Sequence, residues 1–209
     1  MIKLAERVKN LKPSATLAVD SKAKALKESG IDVINLSAGE PDFDTPDYIK
    51  EAAKKALDNG MTKYVATPGL LSLRKAICER LKMDYGFDYN PEEVLVTTGA
   101  KQAIFNFLLA VLNKGDEVLI LSPYWVSYPT MVEIAGGIPK IITSSMEKNF
   151  EPDISEIEKN INSKTVGIII NSPSNPTGLI YSDNFLKGVA ELVKKHDLWI
   201  LSDDIYDKL

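Results

Sequence analysis

The chain has 209 residues, 44% hydrophobic and 26% charged, which suits one large globular domain or one and a fraction. Its 25 basic and 29 acidic residues leave a net charge of −4, and no basic run or aromatic-interleaved basic patch points to nucleic acid. The single cysteine, Cys78, excludes an intrachain disulfide, and the single histidine, His196, leaves too few ligands for a Cys/His zinc site.

His196 lies in "KKHDLW", between a helix end and a strand start, where a capping or surface role is expected rather than a Ser-His-Asp triad. The opening "MIKLAERVKN" is charged and lacks the apolar core of a signal peptide. No apolar stretch approaches the ~18 residues of a membrane span. The expectation is a cytoplasmic protein with no membrane and no nucleic-acid partner.

In chain order, "PSATLAVDSKAKALKESG" predicts a helix with Ser14 as N-cap and Gly30 as its stop. "VINLS" reads as a short strand. "TPDYIKEAAKKALDNG" is helical, with Pro46 near the first turn and Gly60 at the end. "LLSLRKAICERLKMDYG" is a further helix that stops at Gly86 and carries Cys78 at an apolar position.

From residue 93 the pattern changes to alternation. Strands are predicted over 93–98 ("EVLVTT"), 117–122, 138–145, 165–172 and 198–203. Helices are predicted between them over 100–112, 125–135 (despite Pro129), 154–161 and 182–196. Strands of continuous apolar character are buried on both faces, so the fold class is α/β, a mainly parallel sheet with helices on both faces. Residues 1–45 are assigned to an N-terminal arm and small-domain segment, and 46–209 to an incomplete large domain.

Ligands of open parallel sheets sit at the carboxyl ends of strands, and three such ends carry unusual chemistry. In "VTTGAKQAI" a glycine separates a strand from a helix start, whose free N–H groups and dipole suit an anion. In "NSPSNPTG" (171–178) two prolines and two asparagines shape an irregular loop, with Asn175 biased to an extended backbone by Pro176. In "LWILSDDIYDKL" an aspartate finishes an apolar strand, where it serves as a helix cap, a solvated loop residue, or the partner of a cationic ligand atom. Singly, each of these is a common junction.

Their order, together with "PSATLAVDSKAKAL", "INLSAGEPDFDTP", "TKYVATPGLLSLRKAI" and "GDEVLILSPYWVSYP", resembles the class I pyridoxal-phosphate aminotransferases of fold type I. The likeness is strongest to bacterial aspartate or aspartate/prephenate aminotransferases. It implies pyridoxal 5'-phosphate as cofactor, an amino acid and a 2-oxo acid as substrates, and a homodimer. Gly99, Ala100 and Lys101 would hold the cofactor phosphate through backbone N–H groups. Trp125 would stack on the pyridine ring, where the residues alone favour a core tryptophan. Asn175 and Tyr206 would bond the ring's phenolic oxygen, and Asp203 would pair with the ring nitrogen. Asp204 stands where relatives often carry glutamate and is assigned no role.

The resemblance further implies that the Gly39 backbone meets the substrate α-carboxylate and that Tyr64 reaches the phosphate of the other subunit. Lys101, helped by Thr16, would meet the distal carboxylate of a dicarboxylic substrate. Trp125 and Asn175 would also line the substrate site.

The lysine that binds pyridoxal phosphate covalently in the family follows the "SDDIY"-type motif by tens of residues, so the expectation is a chain without it: the N-terminal portion of an aminotransferase. Two further family strands would fill a gap between "EVLVTT" and "TVGIII". The alternatives are another fold type I enzyme, a lyase or a synthase, and a non-catalytic truncated remnant.

Overall fold

A computed structural model describes residues 2–9, 11, 15–36, 39 and 43–209, with only the backbone described at 15–17. The Ser14 cap expected for the first long helix lies outside the described residues. The chain forms two compact units, residues 1–11 with 97–209, and residues 12–96.

Helix α1 (Glu6–Lys9) belongs to the larger unit. The smaller unit holds α2 (Ala15–Glu28), α3 (Asp47–Asp58) and α4 (Leu71–Tyr85), followed by a 3-10 turn at Pro91–Glu93. Pro46 stands at the cap of α3, and α4 ends at Gly86, whose N–H bonds the Lys82 carbonyl. Arg74 of α4 ties this unit together: its Nη1 donates to the Pro91 carbonyl at 2.6 Å and its Nε to the Gly69 carbonyl at 3.3 Å.

Two expected strands of this region do not form. Residues 31–36 and 94–97 carry no strand, and Ser37 lies outside the described residues. Val94 is extended (φ −109°, ψ 125°), and Val96 donates to the Pro68 carbonyl at 3.0 Å. An extended apolar run becomes a strand only when a neighbouring ladder takes its backbone groups. Among the described residues none lies alongside.

The larger unit continues with α5 (Ala100–Val111), β1 (Glu117–Leu121), α6 (Ser127–Ile134), β2 (Ile138–Ile142), α7 (Ile154–Lys159), β3 (Thr165–Asn171), α8 (Asp183–His196) and β4 (Trp199–Asp203). All four strands are parallel, in the order β2-β1-β3-β4. The fold is therefore α/β, as the alternation predicts. Because β3 is flanked by β1 and β4, the expected gap does not adjoin "TVGIII"; the open edges are β2 and β4.

Alternate residues of the strands face two cores. Leu119, Leu121, Ile168 and Ile170 pack with Ile157 of α7 and with Phe185, Val189 and Leu192 of α8. Val118, Ile120 and Ile169 pack on the other face with Ile104 and Leu108 of α5 and with Tyr128, Met131 and Val132 of α6. Burial on both faces explains the apolar runs of the two central strands, β1 and β3. Gly167 of β3 is required by close approach, since a Cβ there would lie 2.1 Å from the Trp199 ring. That ring meets Phe107 of α5 edge-on at 5.1 Å.

Helix α8 is capped by Ser182, whose Oγ accepts from the Phe185 N–H at 3.2 Å. Glu151 accepts in turn from the Ser182 N–H and hydroxyl. At the other end, Glu158 of α7 accepts from Lys195 at 2.6 Å and lies 3.0 Å from His196 Nε2, so the lone histidine joins two helices. Among the described residues, no helix is long and apolar enough to cross a membrane, and no cluster of His, Cys, Asp and Glu could hold a metal.

Candidate functional site

The carboxyl ends of β3 and β4 finish side by side, with Asn171 and Asp203 as register partners. Both follow apolar runs, so the strands that build the core also deliver two polar side chains to its rim, and both remain buried. Asp203 Oδ2 accepts from the Tyr128 hydroxyl at 2.6 Å. Its other oxygen, Oδ1, accepts from the Ile205 N–H at 3.3 Å. That bond is long, so this oxygen keeps acceptor capacity for a further donor.

Tyr128 comes from the first turn of α6, and its own environment holds its proton. Burial, and then the Asp203 carboxylate, push its hydroxyl well above the ordinary tyrosine range. A donor that keeps its proton fixes the carboxylate it serves. Nearby, burial and the Glu151 charge raise the Tyr181 hydroxyl to about 12. The two tyrosines line a small cleft at the ends of β1 and β3, together with Asn171 and Ser174.

The loop after β3 brings Asn175 into the same place. Its N–H donates to Asn171 Oδ1 at 2.8 Å, and Asn171 Nδ2 donates to the Asp203 carbonyl at 2.8 Å. Asn175 Nδ2 donates to the Tyr206 hydroxyl oxygen at 3.1 Å. That leaves the Tyr206 O–H and the second amide hydrogen of Asn175 to meet a ligand oxygen.

The start of α5 supplies the remaining chemistry. Gly99 takes φ +79°, a left-handed conformation that favours glycine, and a Cβ there would meet no atom within 4 Å. The first N–H groups of a helix lack intrahelical acceptors, so Ala100 and Lys101 begin α5 as potential anion donors. Lys101 Nζ lies 4.8 Å from the centre of the Trp125 ring, a cation–π contact. Trp125 meets Tyr128 edge-on at 5.3 Å.

These contacts join in one series: Lys101, Trp125, Tyr128, Asp203, Asn171, Asn175, Tyr206. Five of the residues expected at the site are thereby brought together, and Gly99 and Ala100 adjoin Lys101. The other three expected residues belong to the smaller unit. Tyr64 there is fully exposed, Gly39 is exposed, and Thr16 lies in α2 with its side chain outside the described residues.

Two members of the series, Tyr128 and Asn171, carry no assignment from the sequence. Asn171 is visible as the polar residue that closes the run "GIIIN". Tyr128 is visible as the ring one helical turn beyond Trp125.

The chain belongs to the family "aminotransferase class I and II", which it matches over residues 31–209. It is 47% identical over 206 residues to the aspartate/prephenate aminotransferase of Thermus thermophilus, covering 99% of this chain and 54% of that protein. To the aspartate/prephenate aminotransferase of Cereibacter sphaeroides it is 49% identical over 207 residues, covering 99% of this chain and 52% of the relative. A solved structure of aspartate aminotransferase from T. thermophilus with maleate superimposes with a TM-score of 0.94 at 47% identity, over 99% of this chain and 54% of that one. The chain thus spans about half the length of the curated relatives it matches.

Members of this family are pyridoxal-phosphate enzymes, and the residues present fit that cofactor. A phosphate suits the uncovered turn at Gly99 and the N-terminus of α5. A protonated ring nitrogen suits the Asp203 oxygen that retains acceptor capacity.

Proposed function

We propose that this chain supplies the cofactor cradle of an aminotransferase that, in the complete protein, moves an amino group from a dicarboxylic amino acid, aspartate, to 2-oxoglutarate. The observation that carries the reading is the Asp203 carboxylate at the end of β4, oriented by a tyrosine that keeps its proton. Bound pyridoxal phosphate supplies an electron sink for the charge that develops at the substrate's α-carbon, provided its ring nitrogen stays protonated. Asp203 holds that proton on the nitrogen by charge pairing. Asn175 and Tyr206 donate to the phenolic oxygen, and Trp125 stacks on the ring. The N–H groups of Ala100 and Lys101 hold the phosphate at the Gly99 turn, whose own N–H donates to the Thr97 carbonyl at 2.9 Å.

Lys101 is also the group for the distal carboxylate. Its ammonium stands over the Trp125 face and forms no ion pair among the described contacts. The maleate in the related T. thermophilus structure is a dicarboxylate, which supports this choice of substrate class. Gly39 and Thr16 would complete substrate binding, and Tyr64 would serve the phosphate of the other subunit in a cytoplasmic homodimer. The arm and small-domain segment would span 1–45 and the large domain 46–209. The covalent lysine would come from sequence beyond Leu209.

Pyridoxamine 5'-phosphate tests the cradle without needing that lysine. The chain should bind it stoichiometrically in a calorimetric titration, and Asp203→Ala should weaken binding by at least about tenfold, since a charge-assisted bond is lost. Binding no better than to an unrelated protein would overturn the reading. Borohydride reduction after mixing with pyridoxal phosphate should leave no specific lysine adduct in the intact mass. A stoichiometric adduct would place the covalent lysine within this chain.

A further inference from the structure

Asn171 is buried, 8% exposed, and both functions of its amide are engaged. Its Nδ2 donates to the Asp203 carbonyl and its Oδ1 accepts from the Asn175 N–H, each at 2.8 Å. The two partners leave one orientation of the amide, because a carbonyl needs a donor and an N–H needs an acceptor. The β3–β4 ladder ends at the Asn171–Asp203 pair. Beyond it, the loop after β3 and the turn after β4 meet again where Asn175 Nδ2 donates to the Tyr206 hydroxyl oxygen. At their base, the Asn171 side chain joins the Asp203 carbonyl to the Asn175 N–H.

The geometry points to Asn171 as a positioning residue that sets the spacing between Asp203 and Asn175, and so matches the site to two atoms of one pyridine ring at once, its nitrogen and its phenolic oxygen. The inference rests on the cofactor reading given above. It follows from the chemistry of the amide. Leucine has the shape with neither function. Aspartate keeps the acceptor for Asn175 and places an anion against the Asp203 carbonyl. Glutamine carries both functions one methylene too far out. Only a short amide joins a carbonyl on one segment to an N–H on the other at this separation. Asn171 touches no cofactor atom in this role; it acts through its two neighbours.

The test uses three ligands of the same chain: pyridoxamine 5'-phosphate, its analogue with C–H in place of the ring nitrogen, and its analogue lacking the phenolic oxygen. The unsubstituted chain should bind each analogue about tenfold more weakly than the parent ligand. In Asn171→Ala both ratios should shrink toward one. In Asn171→Asp the ratio for the ring nitrogen should shrink while that for the phenolic oxygen persists, because only the Asp203 side of the bridge is broken.

A merely structural asparagine would weaken all three ligands alike and leave both ratios unchanged, which would overturn the inference while leaving the cofactor reading intact. Loss of near-ultraviolet dichroism in both variants would overturn it too, by making the bridge a folding requirement. Failure of the unsubstituted chain to bind pyridoxamine 5'-phosphate would remove the cofactor reading itself, and the inference with it.

Discussion

The two units of the chain solve burial differently. In the larger one, a four-stranded sheet presents apolar side chains to helices on both faces, and Leu108, Val118, Leu119, Val132 and Ile157 are fully buried. In the smaller one, the helices bury Ala23 and Cys78, while Ile34, Leu36, Phe43, Tyr48, Leu57 and Tyr64 stand exposed. A sheet offers two apolar faces and takes its backbone hydrogen bonds from its own strands. A helix offers one stripe and depends on what covers it. The proposed cofactor contacts with defined geometry all lie in the first kind of region.

The largest effect should come from setting equivalent truncations in the two units against each other. Leu108→Ala in α5 should cost about 2–5 kcal/mol of unfolding free energy, whereas Leu57→Ala in α3 should stay within about 0.5 kcal/mol. Urea denaturation followed by fluorescence measures both, and equal losses would abolish the contrast.

Tyr128→Phe probes the rim of the larger unit and should cost about 1–3 kcal/mol at neutral pH, by leaving a buried carboxylate oxygen without its donor. It should also change the alkaline limb. The folded state holds the Tyr128 proton above the pH near 10 at which an unfolded tyrosine loses its own. The unfolded chain then binds fewer protons, so stability falls as pH rises past that value. Melting temperatures between pH 8 and about 11 should decline less steeply in the phenylalanine variant.

Ser182→Ala should remove about 1 kcal/mol by uncapping α8, as read by the chemical-denaturation midpoint. The smallest effect is assigned to Glu158→Gln on the helical surface. Lys195, and then His196, hold the Glu158 carboxyl below its ordinary value of 4.5. Its contribution is therefore present above that pH and is lost as pH falls through the lowered value. The glutamine variant should show a slightly shallower loss of melting temperature on acidification below pH 5, and an unchanged acid limb would dismiss the pair as energetically silent.

What the sequence disclosed follows the same division. The central strands at 117 and 165 are legible because residues buried on both faces must be apolar without a break. The edge strands at 138 and 199, partly exposed, are legible from shorter apolar runs bounded by turn residues. The run at 93–98 has the same composition yet forms no strand, because pairing depends on a neighbour that local composition does not encode. Among the site residues, Asp203, Asn175 and Tyr206 stand out as polar groups at strand ends, and a known family order draws attention to them. Tyr128 does not stand out. Its partner lies 75 residues away, and a tyrosine one turn into a helix is commonplace until the fold brings β4 beside it. Asn171 likewise looks like the first residue of a loop until its register with Asp203 is known.

The span of these bonds has a kinetic consequence. Asp203 is reached by Tyr128 across 75 residues and by Asn171 across 32, and it sits on β4, the most C-terminal strand among the described residues and one edge of the sheet. Contacts of such separation form late, after the loop-closure entropy of the intervening chain has been overcome. A nascent or refolding chain can therefore bury both cores between β1 and β3 before the carboxylate arrives. Ligand capture would then mark the docking of β4, so a cofactor-like molecule added during refolding should report that step and leave the early collapse untouched.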